Sequence, residues 1–178
     1  MPGQMMHRRI EGLKRAIPLS DRPSCIPLSK LRGAKAAGLR FERALHKSLK
    51  GSILGQWFEF EDALGHGYCQ TDLLFSLPVR PKGGLVVVVE CKYTLVPGAH
   101  SKLSSLYIPI VEKALGCRAA GVVVVKNLDP RYRRGRIFTS LHDAAYAAFD
   151  SGYPTLLQWS GQPLMHRTHS TVQAQRAA

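Results

Sequence analysis

The sequence predicts an α/β protein in which a mixed β-sheet is flanked by helices. Three observations carry this. Apolar residues recur at helical spacing in three segments, β-branched and aromatic runs fall between them, and the first three runs are joined by connections too short to hold a helix. The resulting order is α-β-β-β-α-β-α-β.

Ala34 to Lys50 reads as the first helix, with Ala34, Ala37, Phe41, Leu45 and Leu49 along one stripe and Gly51 as its stop. Gln56 to Glu61 alternates Trp57, Glu59 and Glu61 with Phe58 and Phe60, the pattern of a half-buried strand. The Gly65-His66-Gly67 turn leads into a second strand, Tyr68 to Leu77, and Pro78, Pro81, Gly83 and Gly84 punctuate the way to a third, Leu85 to Thr94. These connections imply an antiparallel meander. Pro97 and Gly98 end the third strand. Ser101 is read as the cap of a helix running to Leu115, with Pro109 expected to kink or split it. Gly121 to Leu128 is a strand whose valine run, Val122 to Val125, suggests burial on both faces. A helix from Thr139 to Phe149 and a strand from Pro154 to Trp159 complete the order.

At 178 residues the chain has the length of one domain with a substantial core. Residues 1–32 are basic and proline-interrupted, with weak helical periodicity from Ile10 to Ile17, and read as a basic arm that packs loosely or orders on binding. Residues 33–160 are expected to form the functional domain, and 161–178 a polar, frayed tail. Cys25, Cys69, Cys91 and Cys117 form no C-x-x-C pair, which argues against a thiolate zinc site or a disulfide framework. The N-terminus lacks the apolar core of a signal peptide, and the longest apolar runs are too short to span a bilayer, so a soluble cytoplasmic protein without a membrane partner is expected. A net charge of +13 and a pI near 10.0 favour a polyanionic partner, because each neutralised phosphate releases counterions.

The segment with chemistry in it is Thr71-Asp72, followed by four valines and then Glu90-Cys91-Lys92. Glu90 and Lys92 lie two apart on one strand and project from the same face. Carboxylates at a buried strand end carry a desolvation cost unless compensated, and a divalent cation shared by Asp72 and Glu90 is the natural compensation. Magnesium suits such oxygen ligands. A cation held there favours phosphodiester hydrolysis by a metal-activated water, with Lys92 orienting that water or stabilising the charged transition state. An E-x-K triplet alone is common; an aspartate one hairpin earlier and the β-branched run make the pattern specific.

These residues resemble the PD-(D/E)xK nuclease superfamily. The resemblance covers Ala34 to Leu128, with Asp72 at the motif aspartate, Glu90 at the acidic position and Lys92 at the lysine; Thr71 stands where proline is usual. It implies a restriction-endonuclease-like core of αβββαβ order, to which a further helix and strand are added. It also implies Mg2+ (with Mn2+ able to substitute), a metal contact from the backbone carbonyl of Cys91, and a fourth acidic residue on the first helix, here Glu42. Gly38, Glu42 and Arg43 ahead of the motif are similar to archaeal Holliday-junction resolvases. That likeness makes junction or branched DNA one expected substrate and a homodimer one expected assembly; restriction-type and phage repair nucleases are equally open.

Arg131, Arg133, Arg134 and Arg136, interleaved with Tyr132, form the densest positive cluster and are candidate phosphate contacts. Lys35, Arg40 and Lys102 are further candidates, with Arg43 and Lys47 adding charge around the first helix. Glu59, Glu61 and Asp62 are runner-up metal ligands, better read as a solvated strand face and turn, and His66, His100 and His142 are isolated. The expected function is therefore a metal-dependent endodeoxyribonuclease, with RNA left open as a substrate. The alternative is a non-catalytic nucleic-acid-binding module or subunit on the same fold.

Overall fold

The computed structural model describes residues 9–28, 32–78, 84–95, 98–128 and 136–164. Arg8, the Pro81–Gly83 turn, Pro97, the Arg131–Arg134 cluster and residues 165–178 of the tail lie outside them. The architecture is α/β, with mixed sheets flanked by helices, and the strands divide between two sheets rather than one.

The larger sheet is built on the most apolar segments. Strand β6 (Gly84–Thr94) is paired antiparallel with β5 (Leu73–Pro78) and parallel with β7 (Arg118–Asn127). Beyond β7 lie β9 (Thr155–Gln158) and β8 (Ile137–Phe138), both parallel to it in direction. The two-residue β2 (Ile53–Leu54) closes the other edge. Successive residues of β6 and β7 face opposite sides, and both sides are covered. On one, Leu85, Val87, Val89 and Cys91 of β6 pack with Phe41, Leu45 and Leu49 from helix α1 (Gly33–Ser48) and its end, and with Leu141, Ala144, Ala145 and Ala148 of α4 (Leu141–Ser151). Fully buried leucines such as Leu45 each contribute roughly 1.5–3 kcal/mol to folding. On the other, Leu74, Val88, Val123 and Val125 meet a helical stretch comprising α2 (Ala99–Lys102), a π-helical turn (Leu103–Tyr107) and α3 (Ile108–Leu115).

The smaller sheet has the order β1-β3-β4, from β1 (Arg15–Leu19), β3 (Trp57–Asp62) and β4 (Gly65–Gln70). Here the structure corrects two expectations. The arm is not loose over residues 15–19: β1 pairs antiparallel with β3, placing Ala16 in the core beside Phe58 and Phe60. Pro18 is accommodated because β1 is an edge strand. The expected single strand Tyr68 to Leu77 is also interrupted. It changes sheets at Thr71 and Asp72, where its partner hairpin arm breaks too, at Gly55 and Gln56. The corner is stitched by hydrogen bonds from the Gly55 N–H to the Asp72 carbonyl (2.9 Å) and from the Thr71 N–H to the Gln56 carbonyl (3.0 Å). Gly55 takes φ +69 there, a conformation that suits glycine.

As expected, the helix around Pro109 is not uniform: it is divided into α2, the π-helical turn and α3, which follow one another without an intervening loop. Proline has no N–H for the carbonyl one turn back, and the turn before it widens to a π-helix. The Ser105 carbonyl accepts a hydrogen bond from the Ile10 N–H instead, at 3.0 Å. Ser101 is not the cap either; Gly98 precedes the first helical residue with φ +88. Within the expected tail, Leu164 is buried and its carbonyl accepts from the Leu141 N–H at 3.0 Å. No helix among the described residues is long and apolar enough to cross a membrane.

Candidate active site

Strand register brings the motif together. One step beyond the Leu73–Val89 pair, Asp72 stands opposite Glu90 on the adjacent antiparallel strand. Asp72 sits at the corner between the sheets, so it has no following ladder partner of its own, and its Oδ2 accepts the Cys91 N–H at 2.7 Å. Glu90 lies in the interior of β6, where the valine run has already excluded water, and its side chain is fully buried. Lys92, two residues on, curls back over the same face. Its Nζ donates to Glu90 Oε1 at 2.5 Å and to the Cys91 carbonyl at 3.3 Å, and stands 4.0 Å from Asp72 Oδ2. Asp72 and Glu90 therefore point to the same side of the sheet and converge on one ammonium group.

A second cation reaches Glu90 from the helix on that side. Lys102, at the last position of α2, donates to Glu90 Oε1 at 3.1 Å and lies 4.5 Å from the ring centre of Tyr107. Both residues flank or end the π-helical turn, whose extra residue per turn alters how its side chains project. Sequence spacing suggested a phosphate contact for Lys102; in the structure it is engaged with a carboxylate. The signal for this was weak, since nothing in K-L-S-S-L-Y reveals a widened turn except the proline that follows.

Glu42 enters from α1, half-buried, and makes no hydrogen bond or ion pair with the described residues. The surroundings perturb Asp72 and Glu42. Burial raises the Asp72 carboxyl to about 7, with Glu90 and Glu42 adding to the rise against the pull of Lys92 and the Cys91 N–H. Burial likewise raises the Glu42 carboxyl; Lys92 opposes this and Glu90 reinforces it. Burial alone would lower the Lys92 ammonium, yet Glu90 and Asp72 more than reverse it, so its pKa is raised. The Tyr107 hydroxyl is pushed up by burial and then by Glu90 and Asp72. Such crowding of acidic groups around partly buried space is what an added cation would relieve.

No family model, no curated protein and no solved structure matches the chain.

The chemical capacity of the site thus rests on its own donors. Among the described residues no three His, Cys, Asp or Glu side chains stand together as a closed metal centre. Magnesium does not ask for one: it takes one or two carboxylates and completes its shell with water and substrate oxygens. Asp72 and Glu90 fit that demand, with Glu42 on the flank. Cys91 presents its carbonyl toward Lys92, while its thiol is buried and its pKa raised, by burial first and the neighbouring carboxylates after it. The runner-up acids are engaged elsewhere: Glu59 with His66 at 2.9 Å, Glu61 with Lys14 at 3.5 Å, and buried Asp62 accepting from the Leu64 N–H at 2.9 Å.

The basic candidates among the described residues lie on more than one element. Lys35 is exposed near the start of α1, Arg40 lies further along the same helix, and Arg136 places its guanidinium 4.5 Å from the Phe138 ring centre. Arg131, Arg133 and Arg134 fall outside the described residues. Sequence reasoning missed Tyr93 and Lys126, whose ring and charge border the carboxyl end of the sheet.

Proposed function

We propose that the chain is a divalent-metal-dependent nuclease with a restriction-endonuclease-like core, acting on DNA. The observation that carries this reading is the convergence of the Asp72 and Glu90 carboxylates on Lys92, within 4.0 Å of one ammonium group. The order of α1, the bent hairpin, β6, the following helix and β7 is in keeping with the expected αβββαβ core, and a net charge of +13 suits a phosphate-rich substrate.

In this reading Asp72 and Glu90 hold Mg2+, with Glu42 tuning the local charge and the Cys91 carbonyl as a further oxygen. When bound, the ion supplies phosphate polarisation and a water of lowered pKa. Lys92 remains an ammonium because both carboxylates favour its charged form; it donates hydrogen bonds to the attacking water or to a non-bridging phosphate oxygen and is not the general base. The Cys91 N–H fixes the Asp72 carboxylate through its hydrogen bond, so that the ligand is oriented before substrate arrives. Lys102 is the second positive group at Glu90 and becomes available to substrate once that carboxylate is otherwise engaged.

The test is a cleavage panel of duplex, single-stranded, flapped and four-way DNA, with an RNA counterpart, in Mg2+, Mn2+ or chelator. Metal-dependent cleavage that falls at least about a hundredfold in Lys92→Ala and Glu90→Gln, with DNA binding retained, supports the reading. Full activity in both variants removes the site assignment. One observation favours a second reading, a non-catalytic nucleic-acid module: two lysines, Lys92 and Lys102, pair with Glu90. Tight binding with no cleavage across the panel would select it.

A further inference from the structure

A cleft of about 340 Å³ opens beyond the carboxyl ends of three parallel neighbours, β6, β7 and β9. Each strand contributes a residue from its end: Tyr93 from β6, Lys126 from β7, and Trp159 just after β9, while α1 supplies Arg40 and Phe41. Crevices outside the carboxyl ends of parallel strands are where open α/β sheets bind ligands. The cleft adjoins the carboxylate site through the chain itself, because Tyr93 follows Lys92 and Phe41 precedes Glu42. Successive strand residues alternate, so Lys92 faces the carboxylates while Tyr93 faces the α1 side.

The lining has a definite chemistry. Tyr93 is 39% exposed, although its neighbour Phe41 is buried. It is held edge-on by Phe41 at an interplanar angle of 88°, and Phe41 in turn packs against Trp159 with ring centres 5.6 Å apart. The Lys126 ammonium lies over one face of the Tyr93 ring, 5.0 Å from its centre, which leaves the opposite face for a stacking partner. Among the described residues neither Lys126 nor Arg40 has a carboxylate partner, and none of those that line the cleft is an acid. A supported, part-exposed ring with one cation over one face and a second cation in the same cleft suits a nucleotide whose base is out of the duplex stack, stacked on the ring with its phosphate between the cations.

We infer that this cleft is a nucleotide subsite, with Tyr93 stacking an unpaired base and Arg40 and Lys126 holding its phosphate beside the carboxylate site. The inference rests on the nuclease reading only for its biological use; the binding itself needs neither metal nor cleavage. It narrows the substrate class to nucleic acid with single-stranded character near the scissile bond, since a base inside a duplex cannot offer its face.

The test is binding of a fluorescein-labelled octathymidylate to the full chain in chelator, read by anisotropy over a salt series. Tyr93→Ala is expected to weaken binding by about fivefold or more, and Tyr93→Phe to retain it. The pair Arg40→Ala, Lys126→Ala is expected to flatten the dependence of log Kd on log salt by about 0.7 for each phosphate that the variant no longer neutralises. Tyr153→Ala removes a still more exposed tyrosine at the opposite end of β9 and is expected to change nothing; circular dichroism verifies that each variant is folded. Wild-type binding and salt slope in folded Tyr93→Ala and the double variant overturn the subsite, even if Mg2+-dependent cleavage is found. Weakened binding in those variants sustains the subsite even if no cleavage is found, in which case the nuclease reading alone falls.

Discussion

Replacing Asp72 with asparagine should make the metal-free protein more stable, and by an amount that depends on pH. The carboxyl is raised from 3.8 to about 7, chiefly by burial and then by Glu90. A group with a raised folded pKa holds its proton in the native state while the unfolded chain has released it. Native stability from this group is therefore full below pH 3.8 and is lost as pH rises to about 7. At about 1.36 kcal/mol per unit, the ionised carboxylate costs the fold roughly 4 kcal/mol above that range. Asparagine keeps an oxygen to accept the Cys91 N–H, but its amide N–H groups need acceptors beside Lys92, which brings the expected gain to roughly 2–4 kcal/mol. Urea denaturation in chelator at about pH 8 should show that gain, and at about pH 4.5 most of it should be gone. A variant less stable than wild type at the higher pH would refute the reasoning, because Lys92 and the Cys91 N–H, not burial, would then dominate at Asp72; a gain equal at both would refute it too, because ionisation of the carboxyl would then not be its source.

Other perturbations have equally definite expectations. Lys102→Met removes one of two ammonium groups from a fully buried carboxylate, so the metal-free protein should lose about 1–3 kcal/mol in urea titration, and added Mg2+ should restore part of it. Leu45→Ala empties a fully buried position between α1 and the sheet and should cost about 2–5 kcal/mol in the same measurement. Gly55→Ala forces a side chain into φ +69, with its Cβ 2.8 Å from Gln70 Nε2. A loss of about 1 kcal/mol or more is expected by thermal melting, together with weakened metal binding, because the same corner positions Asp72.

The elements dominated by local pattern were legible from sequence. The stripe Phe41, Leu45, Leu49 and the valine runs of β6 and β7 are both periodic and buried, so α1 and the sheet centre appear where periodicity puts them. What escaped was set by distant partners. Nothing in R-A-I-P-L announces a strand; it becomes one because β3 offers it an edge. No glycine or proline interrupts Tyr68 to Leu77, so it reads as one strand, although the chain changes its partner at Thr71 and Asp72. Pro109 was recognised as a disturbance, but its relief by a π turn depends on Ile10 taking the freed carbonyl. The site divides the same way. Asp72, Glu90 and Lys92 could be paired from spacing and strand logic. Lys102 at Glu90 could not, nor could the meeting of Tyr93, Lys126 and Trp159, which requires three strand ends to be level.

The claim on which the functional reading depends is that Asp72 and Glu90 jointly bind a divalent cation. Titrating Mn2+ into the protein at about pH 8, followed by electron paramagnetic resonance of the free ion, measures it without any substrate. Saturable binding by the wild type that disappears in the folded Asp72→Asn, Glu90→Gln double variant is the predicted result. Undiminished binding in that variant, or none in the wild type, would contradict it.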